Sequence, residues 1–147
     1  DPSAFSETVK LVALGGTYTL RNGYGAAYAK ARNLEGVLTD AYDTALDAYD
    51  VLVMPTLPIT ASLIPPADAP AGEIIGRALE MVANTAPFDV TGHPACSIPA
   101  GLSDGLPVGL MVIGKKNDDA GVLRAAHAFE RTLGTLTAPA YDKEFAA

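Results

Sequence analysis

Cysteine and basic residues are scarce in this sequence, and each scarcity excludes a class of protein. The single cysteine among 147 residues, Cys96, cannot form a disulfide framework and leaves too few sulfurs for a structural zinc site. Its isolation favours a reducing compartment, so we expect a cytoplasmic location. Ten lysines and arginines stand against 17 aspartates and glutamates, a net charge of −7. Neutralising phosphates requires clustered basic residues, so we expect no nucleic-acid partner.

Long apolar runs are also missing from the sequence. No run approaches the roughly 20 apolar residues that span a bilayer, so we expect no membrane association. The sequence starts with Asp1, without an initiator methionine or a signal-peptide pattern, and we interpret this as a start within a longer protein. With 49% hydrophobic and 18% charged residues, the composition is that of one folded domain.

Hydrophobic spacing predicts an α/β domain with three short strands and about four helices. A short first helix is predicted to end at Gly15-Gly16, and a long amphipathic helix follows. Asn117 is predicted to cap the last helix. The predicted organisation is helical at 3–48, a strand at 49–55, a proline-rich connection at 56–72 and helix-strand-strand-helix at 73–134.

A sheet of three strands has two open edges, and an uncovered apolar edge promotes aggregation. We therefore expect this chain, by itself, to be poorly soluble or to self-associate, and a homodimer is one such assembly. The apolar helices and strand borders are expected to lie against a further part of the same fold.

Chemically capable side chains are present without a catalytic arrangement. Residues 109–115 match the spacing of a phosphate-binding loop, but the intervening residues favour a strand, and Lys116 stands where a magnesium-binding hydroxyl is needed. Cys96 and Ser97 lie near His93. However, strand neighbours point to opposite faces, and the Gly-x-Ser-x-Gly elbow of a hydrolase nucleophile is missing. We interpret Cys96 as a buried structural residue.

Metal and cofactor sites are not predicted either. The two histidines have no accompanying cluster of thiols or carboxylates, so a metal site is not supported. His127 is interpreted as a surface or half-buried residue of the last helix. The acidic run of the long helix is interpreted as a solvated face, and it contains Asp40, Asp43 and Asp47.

One long segment resembles the carboxy-terminal block of the amidase-signature family. Residues 84–101 read NTAPFDVTGHPACSIPAG and residues 105–114 read GLPVGLMVIG. The family's block runs Thr, Pro-Phe-Asn, Gly-x-Pro, a small-residue strand ending Pro-x-Gly, then Leu-Pro-Val-Gly and an apolar strand. Residues 49–56, YDVLVMPT, and residues 24–32 are similar to two further family elements. The resemblance covers about residues 3–134.

This resemblance implies a mixed sheet flanked by helices, in which a Ser, a cis-peptide Ser and a Lys hydrolyse amides through an acyl-enzyme. The family's triad lies earlier in its chain, so no catalytic residue is assigned here. We expect the carboxy-terminal part of such an amidase, inactive alone and without a cofactor. Its expected partners are a small-molecule amide and the amino-terminal part of the fold. The alternatives are a non-catalytic scaffold or binding domain and part of a glutamyl-tRNA amidotransferase A-type subunit.

The candidate substrate-binding residues are Thr85, Phe88 and Asp89, because residues 85–92 resemble the family's stretch near the acyl pocket. Asp89 departs from the family's common Asn. The residues alone leave an alternative open, in which Thr85 and Asp89 cap local backbone and Phe88 belongs to the core.

Overall fold

The computed structural model describes residues 4–133, which form five α-helices and a three-stranded sheet. In chain order the elements are α1 (Glu7–Arg21), α2 (Gly25–Ala48), β1 (Val51–Pro55), α3 (Ala71–Glu80), α4 (Ala86–Thr91), β2 (Ala95–Ser103), β3 (Leu106–Gly114) and α5 (Asp119–Leu133). The predicted α/β class and the three strands are confirmed. The fifth helix is α4, six residues long, which the predicted helix-strand-strand-helix organisation of 73–134 does not include.

The sheet is antiparallel, with the strand order β1-β3-β2. The last strand in the chain is therefore the central one. Register places Met54 and Ser97 on either side of Met111, and Leu52 and Ala95 on either side of Ile113. Directly opposed residues of an antiparallel sheet project to the same face. These six side chains consequently share one face of the sheet.

That face is covered by α2 and α4. A buried cluster forms on it, and partly buried side chains surround the cluster; together they comprise Phe88, Met111, Ile113, Tyr42, Leu52 and Met54. The rings of Tyr42 and Phe88 lie 5.0 Å apart in a tilted arrangement. Aromatic pairs at this separation add to the stability gained from apolar burial. The cluster thereby fixes α4 against the sheet.

The opposite face is covered by α5, through its buried residues Val122 and Ala126. Gly114 lets the two elements approach, since a Cβ there would lie 2.5 Å from Val122 Cγ2. The predicted cap at Asn117 is wrong. The Asp118 carboxylate accepts the Gly121 N–H at 3.0 Å, while Asn117 adopts a left-handed φ of 65° in the preceding turn. Asp118 therefore caps α5.

The first helix does not end at Gly15-Gly16, as predicted, but continues to Arg21. A glycine inside a helix costs about 1 kcal/mol relative to alanine, which weakens the helix without ending it. The break falls instead at Gly23, whose φ of +69° is incompatible with helical continuation. The long helix predicted next is confirmed as α2.

The first two helices expose many apolar side chains. α1 has no buried residue and α2 has one, Leu46. Val12 is 72% exposed and Leu20 is 85% exposed. Among residues 4–133, no helix combines the length and apolar character that crossing a bilayer requires. The core of the described residues therefore lies around the sheet, and α1 contributes little to it.

Candidate functional site

A cavity of about 320 Å³ lies where α4 meets the sheet, at the small end of ligand-binding pockets, which span roughly 300–1,000 Å³. It brings together the three predicted substrate-binding residues and six others. The lining residues are Thr56, Thr85, Phe88, Asp89, His93, Ala95, Cys96, Ser97 and Met111. Asp89 and Ser97 are exposed, so the cavity is open to solvent on that side.

The short helix α4 aligns the predicted residues. Pro87 lies in its first turn, where a missing N–H is tolerated and a fixed φ favours the helix. Gly92 ends it with a φ of 72° and donates its N–H to the Phe88 carbonyl at 2.9 Å. Thr85, Phe88 and Asp89 are related as i, i+3 and i+4, so one turn places them on the same side of the helix.

These three residues differ in their surroundings. The Thr85 hydroxyl donates to the Val82 carbonyl at 3.3 Å, which is a local backbone bond. Phe88 is 6% exposed and belongs to the core cluster, so its ring serves both as core and as the inner wall of the cavity. The Asp89 carboxylate has neither a hydrogen bond nor an ion pair within residues 4–133. Among these three, only Asp89 carries a charge.

Two hydroxyls form the floor of the cavity. Thr56 Oγ1 and Ser97 Oγ lie 2.6 Å apart, and either can donate to the other. Gly109 of the central strand lies beneath them, and its carbonyl accepts the Thr56 N–H at 2.9 Å. A Cβ at position 109 would lie 2.7 Å from Thr56 Oγ1, so the pair requires glycine there. Sequence reasoning did not select either hydroxyl, although Thr56 ends the matched segment 49–56.

His93 closes one end of the cavity and is held by two hydrogen bonds. Its Nδ1 lies 2.8 Å from Thr91 Oγ1 and its Nε2 lies 3.0 Å from Asp43 Oδ1. An ionised carboxylate only accepts, so Nε2–H donates to Asp43, and in the neutral imidazole Nδ1 then accepts the Thr91 hydroxyl. The His93 side chain is fully buried. With both nitrogens occupied, it cannot serve as a base for Ser97 in this arrangement.

The structure places the polar residues that the sequence singled out. Asp40, Asp43 and Asp47 are all exposed, as predicted, and Asp43 also accepts a hydrogen bond from His93, 50 residues away in the sequence. Cys96 is half-buried at the cavity and not fully buried as expected.

His127 lies on the surface, as predicted. Its side chain is 70% exposed, and its Nδ1 lies 3.7 Å from Glu130 Oε2. Residues 4–133 contain no group of three or more histidine, cysteine or acidic side chains arranged to hold a metal.

Comparison with known proteins gives one consistent family. A model of the Amidase family matches residues 1–123. The chain is 56% identical, over 137 residues, to an uncharacterised protein in the nthA 5' region of Rhodococcus erythropolis; the match covers 93% of this chain and 69% of that protein. It is also 56% identical over 135 residues to an enantioselective amidase of Rhodococcus rhodochrous, covering 91% of this chain and 26% of that enzyme.

A solved structure shares the fold. It is the A-type component of the glutamyl-tRNA(Gln) amidotransferase from Thermotoga maritima, which matches with a TM-score of 0.61 and 33% sequence identity. The match covers 85% of this chain and 27% of the T. maritima protein. The chain thus spans about a quarter of the length of both the R. rhodochrous enzyme and the T. maritima protein.

Proposed function

Since this chain belongs to the Amidase family, we propose that it is the carboxy-terminal part of an enzyme hydrolysing carboxylic amides to the acid and ammonia or an amine. The observation that carries the proposal is the family match over residues 1–123. The exposed apolar side chains of α1 and α2 support it, because monomeric proteins rarely expose large contiguous apolar surfaces. In the proposed enzyme, the rest of the fold covers them.

The proposed chemistry is acyl transfer in two halves. A serine, deprotonated through a cis-peptide serine and a lysine, attacks the amide carbonyl, and the amine leaves with a proton. Water then hydrolyses the acyl-serine ester to release the acid. None of these groups is assigned to a residue of this chain, which we propose is inactive alone. Its residues contribute a wall for the acyl group, where Phe88 and Met111 supply apolar surface and the Thr56–Ser97 pair supplies hydroxyls.

A chimaera tests the proposal directly. This chain replaces the matched 26% of the R. rhodochrous enantioselective amidase, and ammonia release is measured with aliphatic and aromatic amides. The chimaera is expected to hydrolyse them, whereas the 147-residue chain alone is not. The unmodified amidase is the positive control. A chimaera that folds with the circular dichroism of its parent yet releases no ammonia would contradict the proposal, and so would turnover by the isolated chain.

Two other functions make different predictions in the same assay. A role in a glutamyl-tRNA amidotransferase is supported by the T. maritima likeness, and it predicts ammonia release from glutamine in preference to simple amides. The identity of 56% to an enantioselective amidase, against 33% to the T. maritima protein, favours the plain amidase. A non-catalytic scaffold or binding domain predicts an isolated chain that is monomeric and stable, and a chimaera that remains inert.

A further inference from the structure

We infer that the cavity beside α4 selects amides by charge, with Asp89 favouring a cationic substituent on the acyl group and opposing an anionic one. This inference rests on the proposed function, and it names the substrate class that the proposed enzyme would prefer. It depends on three features of the cavity: the charges of its described lining residues, the donors on its floor and the Asp89 carboxylate, which has no partner within residues 4–133.

Among the described residues that line the cavity, the ionisable side chain that carries a net charge is a carboxylate. Neither lysine nor arginine is among the residues that line it in the described part of the chain, and Asp89 is the lining carboxylate. The carboxylate has no ion-pair partner within residues 4–133. A second carboxylate, that of Asp43, accepts the Nε2–H of His93, which is another lining residue. An ammonium group entering here gains attraction, and a carboxylate meets repulsion.

The floor of the cavity orients a neutral amide group. Thr56 and Ser97 together have two hydroxyl hydrogens, and the bond between them uses one. The second hydrogen is left to donate to an acceptor in the cavity, and an amide carbonyl is such an acceptor. Asp89 lines the same cavity as the hydroxyl pair and Phe88, so an acyl group whose amide is bound by the hydroxyls lies in the cavity that the Asp89 carboxylate borders.

Solvent limits the size of this charge effect. Exposed ion pairs contribute about 0.2–1 kcal/mol, which corresponds to a factor of up to about five in an equilibrium or rate ratio. The contribution of Asp89 is therefore expected to be a moderate preference, which depends on salt because water reaches the carboxylate.

Three amides of closely similar shape test the inference in the chimaera. Butyramide is neutral, β-alaninamide replaces its terminal methyl by an ammonium group, and succinamate replaces it by a carboxylate. The measured quantity is kcat/KM for each charged amide divided by that for butyramide, at pH 7. With Asp89→Asn, the β-alaninamide ratio is expected to fall about two- to fivefold and the succinamate ratio to rise by a similar factor.

A matched control removes the same charge elsewhere. Asp104, in the β2–β3 turn, is exposed, does not line the cavity and has a positive φ that asparagine accepts. Asp104→Asn is expected to leave both ratios unchanged, which separates a local effect of Asp89 from an effect of net charge. Raising the salt concentration is expected to shrink the Asp89→Asn effect on both ratios.

The inference is overturned if Asp89→Asn leaves both ratios unchanged or moves them in the same direction. An equal effect on all three amides would likewise show that Asp89 acts through the fold. A folded chimaera that hydrolyses no amide contradicts the proposed function instead. In that case the three amides are titrated into the same chimaera by NMR, where tighter binding of β-alaninamide than of succinamate, lost in Asp89→Asn, still supports the inference.

Discussion

An added methyl group at Gly109 would strike the floor of the cavity. The Cβ of a Gly109→Ala variant would lie 2.7 Å from Thr56 Oγ1, 3.0 Å from Ser97 Oγ and 3.2 Å from Thr56 Cβ. Ser97 is exposed and can rotate away, but Thr56 is β-branched and its backbone N–H is bonded to Gly109. The clash is therefore expected to fall mainly on Thr56.

The cost follows from two opposing contributions. Inserting a methyl group into a filled site typically costs about 1–3 kcal/mol. Replacing glycine by alanine also restricts the unfolded chain, which returns about 0.4–1 kcal/mol where the backbone accepts the new residue. Gly109 has no positive φ, so its backbone accepts alanine. The net loss in free energy of unfolding is expected to be about 1–2 kcal/mol.

A double-mutant cycle isolates the clash. In a Thr56→Ala background the hydroxyl at 2.7 Å is removed, and the nearest remaining side-chain contact of that residue is its Cβ at 3.2 Å. Gly109→Ala is then expected to cost less, with the contacts at 3.0 Å to Ser97 Oγ and 3.2 Å to Thr56 Cβ remaining, which gives a coupling energy of about 1 kcal/mol. Because the isolated chain is expected to self-associate, free energies are measured by urea unfolding of the 147-residue chain at a concentration at which sedimentation shows a monomer, followed by far-UV circular dichroism.

The control is a glycine with open space around it. Gly36, in the exposed part of α2, has nothing within 4 Å of an added Cβ, so Gly36→Ala is expected to stabilise the chain by up to about 1 kcal/mol. The reasoning is refuted if Gly109→Ala costs the same with and without the Thr56 hydroxyl. A stabilising Gly109→Ala in the native background would refute it equally.

Three further substitutions test the contacts around the sheet. Asp118→Ala removes the cap on the Gly121 N–H and is expected to lower the free energy of unfolding by about 1 kcal/mol, more than Asp118→Asn does in the same urea titration. Gly114→Ala places a Cβ 2.5 Å from Val122 Cγ2 and is expected to cost about 1–3 kcal/mol, and to cost much less in a Val122→Ala background than in the native one. His93→Ala empties a buried site and breaks two hydrogen bonds, so a loss of about 2–4 kcal/mol is expected in thermal unfolding, and a loss no larger than that of an exposed substitution would contradict it.

Much of the fold could be predicted because its strands and long helix have clear local signals. β1 lies in a short apolar run, and α2 has apolar residues at steps of three and four. Both patterns can be recognised from residues that are close together in the sequence. The short helix α4 could not be found this way, since six residues are too few to show a helical period. Pro87 and Gly92 at its two ends were the available signal. The pair Gly15-Gly16 gave a false signal of a helix end, because α1 continues through both glycines despite their low helix propensity.

The candidate site likewise contains residues that could be predicted from the sequence and residues that could not. Thr85, Phe88 and Asp89 were selected from one contiguous segment and lie on one side of α4. Thr56 and Ser97 are 41 residues apart, and they meet only because β3, the last strand in the chain, lies between their strands. His93 and Asp43 are 50 residues apart and meet because α2 packs near the start of β2. Contacts of this kind require the strand order, which hydrophobic spacing does not determine.

One glycine of the sequence carried a signal that was not used. Gly109 interrupts an otherwise apolar strand, where glycine is unfavourable because it loses entropy and packs no side chain. A glycine retained at such a position indicates that other atoms occupy the space of its Cβ. Here those atoms are the hydroxyls of Thr56 and Ser97. The strand glycine therefore indicates a close approach at position 109, and the strand order is needed to name Thr56 and Ser97 as the groups that make it.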